Sequence, residues 1–393
     1  MKHKPSMMAM AAIAVLALLS WLLARDGTAR PAAASGQPAA GAHMTRAMWA
    51  GLDQQASAPS SPRDQLMAQW MAARQRLESY RSATCYPPES QPIAAHADML
   101  KPFDPVVEDR PALSAQGTAV NGRHLVTSQD RVYVSGTDSV ILTVAMRDDQ
   151  NLPAPLRVIR ATAHEVQDVA HPQTVSAVPM QFDDRGTRGD ALAGDGIYSA
   201  QLQPAAQGFG ATQGTVRVEL DVQSDTGGAA HTFFDIVYMP NVPATWTGGV
   251  REAMNQGSLD FYLKADVREA GRYVVTARAY DATGKPFALL SFNDELPAGG
   301  NEVRLTLFGK LARDAKPVFP ITLRDIEGFV LYENRFPDRA MMPRWPQAAY
   351  TSGMHALGDF ADTEWTSDQR QRYLTEYGKD VQVAEQNLQR LAP

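Results

Sequence analysis

The chain has 393 residues, 37 Lys and Arg against 43 Asp and Glu, a formal net charge of −6, and one cysteine. At 44% hydrophobic and 20% charged it can bury real cores and is not composed like a wholly disordered chain. The acidic balance argues against a general nucleic-acid binder, and a single Cys excludes an intramolecular disulfide scaffold.

Lys2, His3 and Lys4 give a basic start, and residues 7–24 carry no charge. Ala32-Ala33-Ala34 then offers small residues for cleavage before Ser35, so residues 1–34 read as a secretory signal peptide. Eighteen apolar residues also reach ~27 Å as a helix, so an uncleaved anchor is the competing reading. The Ala-rich run with Gly and Pro after it favours cleavage. Either way the rest of the chain is exported: secreted or periplasmic, or held in the cytoplasmic membrane facing the periplasm, the N-terminus being its membrane contact. Residues 35–60, rich in Ala, Gly, Ser, Pro and Gln, read as a flexible linker.

Residues 61–111 begin with a helix that Ser61 can cap and Pro62 can open. Leu66, Trp70, Ala73, Leu77 and Tyr80 make one stripe, expected to pack on the body of the protein. Pro-rich sequence from Pro87 to Pro111 is expected to lack regular structure. Cys85 reads either as a small buried hydrophobe or as an intermolecular disulfide partner.

From about Arg123 the period becomes two. Short β-branched runs at 131–134, 140–144, 156–159, 175–180, 196–200, 215–220 and 231–237 give residues 112–243 as a β-sandwich. Further runs at 259–267, 272–280, 286–292, 301–308, 319–323 and 328–332 give residues 244–340 as a second. Residues 341–393 read as a helical extension, with Thr366 as cap and Gln369 at the reciprocal position. Tyr373, Tyr377, Val381, Ala384, Leu388 and Leu391 share a face expected to dock on the second sandwich, and Gly378 marks a potential kink. The predicted fold is mostly β: two tandem immunoglobulin-like β-sandwiches with an N-terminal helix and a helical C-terminal extension.

The most distinctive segment lies between two strand runs. Asp183, Asp184, Asp190 and Asp195 are interleaved with Gly186, Gly189, Gly194 and Gly196. Glycines allow tight reversals, and carboxylates are the hard oxygen ligands that Ca²⁺ takes. Asp184, Asp190 and Asp195 are therefore candidate metal ligands. In the alternative, the Asp side chains cap backbone N–H groups, and Arg185 and Arg188 neutralise them without metal.

Gly194-Asp195-Gly196-Ile197-Tyr198-Ser199, with the Gly189-Asp190 before it, resembles a loop of Ig-like domains in secreted bacterial proteins, including those termed choice-of-anchor X. Asp325-Ile326-Glu327-Gly328-Phe329-Val330-Leu331-Tyr332-Glu333-Asn334, followed by Pro337-Asp338-Arg339, extends the resemblance. With the N-terminal helix and tail, the arrangement over about residues 60–390 is similar to a family of secreted bacterial proteins of unknown function, one of them a type II secretion effector. The resemblance implies export and tandem sandwiches, and assigns no chemistry.

Other constellations are weak. His164-Glu165 lacks the second His of H-E-x-x-H, because position 168 is Asp. No G-x-S-x-G elbow, P-loop or dinucleotide fingerprint occurs. Trp246, Tyr262, Tyr273, Tyr280 and Trp345 read as core or as a sugar platform. Glu333, Arg335, Asp338 and Arg339 read as a solvated ion-pair network. The leading expectation is a non-enzymatic binding or effector protein with an unknown protein or glycan ligand outside the cytoplasm. A secreted hydrolase of unrecognised type, acting on polysaccharide or peptide, and an anchored envelope structural protein are the alternatives. Intact mass from the native host's medium, periplasm and membranes is expected to give a mature N-terminus at Ser35. A full-length species in the membrane fraction would identify an anchor instead.

Overall fold

The computed structural model describes residues 61–113, 118–166, 175–224 and 229–390. The expected leader and linker, and His171, lie outside them. Leu66–Pro393 form one compact unit; of the other, Met1–Gln65, residues 61–65 are described. Strands account for 47% of the described residues, which are therefore mostly β. No helix among the described residues is long and apolar enough to cross a membrane.

Helix α1 spans Pro62–Ala83. Ser61 caps it: its Oγ accepts from the Asp64 N–H at 3.1 Å, and the Asp64 carboxylate accepts from the Ser61 N–H at 3.0 Å. The Pro-rich stretch that follows is more ordered than its composition suggests. It holds β1 (Ser90–Pro92), two 3₁₀ turns and β2 (Val106–Leu113). The strands continue as β3 (Ala119–Gln129), β4 (Tyr133–Ser135), β5 (Val140–Arg147), β6 (Pro153–Ala154), β7 (Leu156–Glu165), β8 (Val178–Pro179), β9 (Ile197–Leu202), β10 (Gly214–Ser224) and β11 (Ala229–Met239). One sheet has the order β4-β11-β10-β7-β8. The other runs β2-β3-β5-β6, with β9 also on β5. The β4–β11 pair is parallel, the others antiparallel. Alternate residues of β5 (Val140, Leu142, Val144) and β10 (Val216, Val218, Leu220) are buried in one apolar cluster, so the two sheets share a core.

A second cluster is built from β12 (Ala244–Asn255), β13 (Ser258–Val267), β14 (Gly271–Tyr280), β15 (Pro286–Leu296), β16 (Gly299–Leu307), helix α2 (Gly309–Ala315), β17 (Thr322–Leu331), β18 (Arg339–Met341) and β19 (Trp345–Thr351). Its sheets are β12-β13-β16 and β1-β15-β14-β17-β18, with β19 also on β17. Residues 319–323 and 328–332, which read as two strands, belong largely to one strand interrupted at Asp325. The region after 340 is not purely helical, because β19 completes a sheet first.

Helix α3 (Asp368–Arg390) is continuous through Gly378. Its cap is Ser367, whose Oγ accepts from the Arg370 N–H at 3.1 Å; Thr366 instead accepts from Gln371 Nε2. The α3 stripe turns toward α1, where Tyr80 meets the rings of Tyr373 at 5.5 Å and Tyr377 at 5.3 Å. Arg76 pairs with Asp380 at 3.7 Å, so the helices run antiparallel. At the base, buried Arg370 binds Thr84 Oγ1 and Glu364, which also takes Arg81. Cys85 is half-buried beside them, its thiol on the Ser82 carbonyl at 3.0 Å.

Arg278 on β14 is fully buried. Its guanidinium donates to Met99 O (2.6 Å), Asp325 O (2.9 Å), Thr276 Oγ1 (3.1 Å) and Glu327 Oε1 (3.1 Å). Replacing it leaves buried acceptors without donors. Arg278→Met is expected to cost about 3 kcal/mol in urea unfolding. The hydrogen bonds from Arg370, joined by those from Arg81, hold the Glu364 carboxyl below the usual carboxylate range. Stability from a lowered carboxyl is present above its unfolded pKa and lost as pH falls through the folded one. The wild type is therefore expected to weaken below about pH 4, and Glu364→Gln to lose part of that dependence in acid denaturation curves.

Candidate metal centre

The loop between β8 and β9 is anchored at its base by the Asp183–Ser199 bridge, with N–H···O bonds of 3.1 and 2.9 Å. Gly189 has φ +91°, and a Cβ there would lie 2.5 Å from Ile141 Cδ1. Only glycine lets the loop press so closely on β5.

Inside the loop, Asp184, Asp190 and Asp195 are half-buried and each offers a carboxylate oxygen within 4.8 Å of the others. The loop's own backbone aims them. Asp184 Oδ1 accepts from the N–H groups of Gly194 (2.5 Å) and Asp195 (3.2 Å), and its Oδ2 accepts from Gly196 (2.9 Å). Asp190 Oδ2 accepts from Gly186 (2.6 Å) and its Oδ1 from Leu192 (3.3 Å). Asp195 Oδ1 takes the Ile197 N–H at 2.9 Å. A carboxylate has about four lone-pair sites, so these bonds leave capacity for a cation. Ca²⁺–oxygen distances of about 2.3–2.6 Å place opposed ligands roughly 5 Å apart, a span that this trio fits.

The two readings of the loop differ over the arginines. Arg188 Nη1 donates to Gln181 Oε1 at 2.7 Å, and Arg185 lines an open cleft of about 710 Å³ with Ile159 and Arg160. Among the described residues neither guanidinium pairs with the three carboxylates. Backbone capping is present, whereas neutralisation by arginine is not.

The other sequence candidates are dispersed. His164 lies on β7 with Nε2 3.9 Å from Glu219 Oε1, while Glu165 points inward and accepts from Thr212 Oγ1 and the Val175 N–H. Tyr273 is fully buried, Trp246 packs on Trp345 at 6.1 Å, and Tyr262 lies under Arg251, so no common aromatic platform forms from them. The cluster near 338 is more than a solvated network: Arg339, chelated by Asp338, sits between the rings of Tyr133 and Phe329 and joins the two sheet pairs. Asp221, Asp281, Glu302, Asp338 and Glu364 are held below the usual carboxylate range by hydrogen-bond donors, as structural ion pairs and turns require.

No family model matches the chain. No curated protein matches it. Among solved structures, it is similar over 57% of its length to a DUF4785 family protein from Legionella pneumophila, at 15% identity and a TM-score of 0.38. It covers 56% of that protein. The Yersinia pseudotuberculosis adhesin InvE matches 56% of the chain at 13% identity and a TM-score of 0.17, with 57% of the adhesin covered. A tetra-tandem repeat from the extending region of a large adhesion protein matches 63% at 13% identity and a TM-score of 0.17, with 67% of it covered. The chain thus spans little more than half of the first two. At these values the comparisons fix neither a family nor an activity.

Proposed function

We propose that the chain is an exported, non-enzymatic binding protein of two tandem immunoglobulin-like sandwiches, with Ca²⁺ ordering the loop that carries Asp184, Asp190 and Asp195. The convergence of those three carboxylates, with no arginine paired to them among the described residues, carries this reading. The parallel β4–β11 pair beside antiparallel β10 and β7 supports the immunoglobulin-like assignment, and the basic, then apolar N-terminus supports export. The sequence resemblance to secreted choice-of-anchor X proteins points the same way. In this reading the loops and faces of the first sheet pair meet a protein or glycan ligand outside the cytoplasm, and the metal removes loop freedom before the ligand arrives. The melting temperature of the mature protein is expected to rise by about 5 °C at Ca²⁺ ~100-fold above its Kd, relative to EDTA. Asp190→Asn is expected to abolish the rise; identical wild-type melts in the two conditions would remove the metal from the reading.

A further inference from the structure

The structure assigns a carbohydrate-binding site to the cleft beside the Asp loop. This inference rests on the binding-protein reading and names the class of ligand. The cleft measures about 420 Å³, within the range of small-ligand sites, and lies between Pro179–Gln181, the outer face of β9 and the turn after it.

Its polar lining is built chiefly from side-chain amides, each fixed at one end except Gln207, whose Nε2 also donates to Met180 Sδ at 3.7 Å. Gln201 Nε2 donates to Ser139 Oγ at 2.7 Å, and Gln203 Nε2 donates to Thr137 O at 2.8 Å. Their Oε1 atoms are left as acceptors. Gln181 uses its Oε1 to take the Arg188 guanidinium, which leaves its NH₂ as a donor beside the remaining Arg188 N–H groups. Gln207 Oε1 accepts from the Gln203 N–H at 2.6 Å. Glutamine normally loses much rotamer freedom on binding; here that freedom is already restricted by the protein's own hydrogen bonds.

The lining therefore interleaves fixed acceptors with fixed donors. A hydroxyl is both donor and acceptor, so adjacent hydroxyls on a sugar ring satisfy such an array. A sulfate, being acceptor-only, would face the two amide oxygens without a proton to offer. Exposed Pro179 provides an apolar edge for the C–H face of the ring. Arg188 connects the cleft to the metal loop. It stands at φ 54°, a conformation uncommon for a side-chain-bearing residue, and lies between Asp184 and Asp190. Ordering of the loop thus sets where the guanidinium and Gln181 stand.

The test is calorimetric titration of the mature protein, in Ca²⁺, with gluco-, xylo-, chito-, manno- and galacturono-oligosaccharides. At least one is expected to bind, with affinity reduced tenfold or more in Gln201→Leu/Gln203→Leu and unchanged melting. Gln201→Asn, which keeps the amide but shortens its reach, is expected to weaken binding severalfold and serves if the double variant melts lower. Equal affinity in wild type and variants would overturn the assignment while leaving the binding-protein reading intact. No binding to any sugar in the panel would also overturn it, and a Ca²⁺-dependent melt would still stand apart from that failure.

Discussion

A guanidinium without solvent is the constraint around which much of this protein is arranged. Arg278 has lost its water entirely, and a buried charge is tolerated only where acceptors surround it. Those acceptors come from separate parts of the chain. Asp325 supplies its carbonyl from a bulge in β17, where it adopts φ 51°. The same residue's carboxylate takes the Gln347 N–H and so holds β19 in place. Met99 supplies another carbonyl, fastening the segment between β1 and β2 to the sheet. Upstream of that segment, Thr84 and the Cys85 carbonyl receive Arg370 and the Trp365 N–H, which seats the C-terminal helix. One cation thereby fastens the segment between β1 and β2, and through Asp325 the β17–β19 pairing, to the same strand.

The joint between the two apolar clusters is close. Gly136, at φ +60°, leaves room for Val242, whose Cγ2 would stand 2.5 Å from a Cβ. Its N–H donates to the Met239 carbonyl, and its own carbonyl accepts the Tyr238 hydroxyl. Across the joint, the Met341 N–H donates to Ser135 Oγ and Arg344 donates to the Asp130 carbonyl. Bonds to backbone atoms on both sides favour one fixed angle between the sheet pairs over a hinge. A ligand spanning both pairs would meet a preset geometry.

Strands with clean alternation were legible in the sequence. Val303, Leu305 and Leu307 point inward while Arg304 and Thr306 do not, as the pattern requires. What escaped was sequence that breaks the period for structural reasons. Strand β2 carries Glu108, Asp109, Arg110 and Pro111, residues suited to an edge and unlike a core strand. Strand β12 is interrupted by the Gly248-Gly249 bulge, and β17 by Asp325. That Asp184, Asp190 and Asp195 converge could be read because one loop holds all three. The destination of Arg188 could not, since Gln181 is chosen through space. The glutamine cleft offered only the Gln201-Leu202-Gln203 alternation, a signal shared by any half-exposed strand.

The antiparallel helix pair has a topological consequence. Arg76 and Asp380 mark a crossing point from which α1 runs back fourteen residues to Pro62, ~21 Å, and α3 onward ten to Arg390, ~15 Å. Positions far apart in sequence thus run side by side, and every sheet lies in the chain between them. A short covalent bridge there would make the chain a closed loop that could be reopened at a surface turn, as in circular permutants.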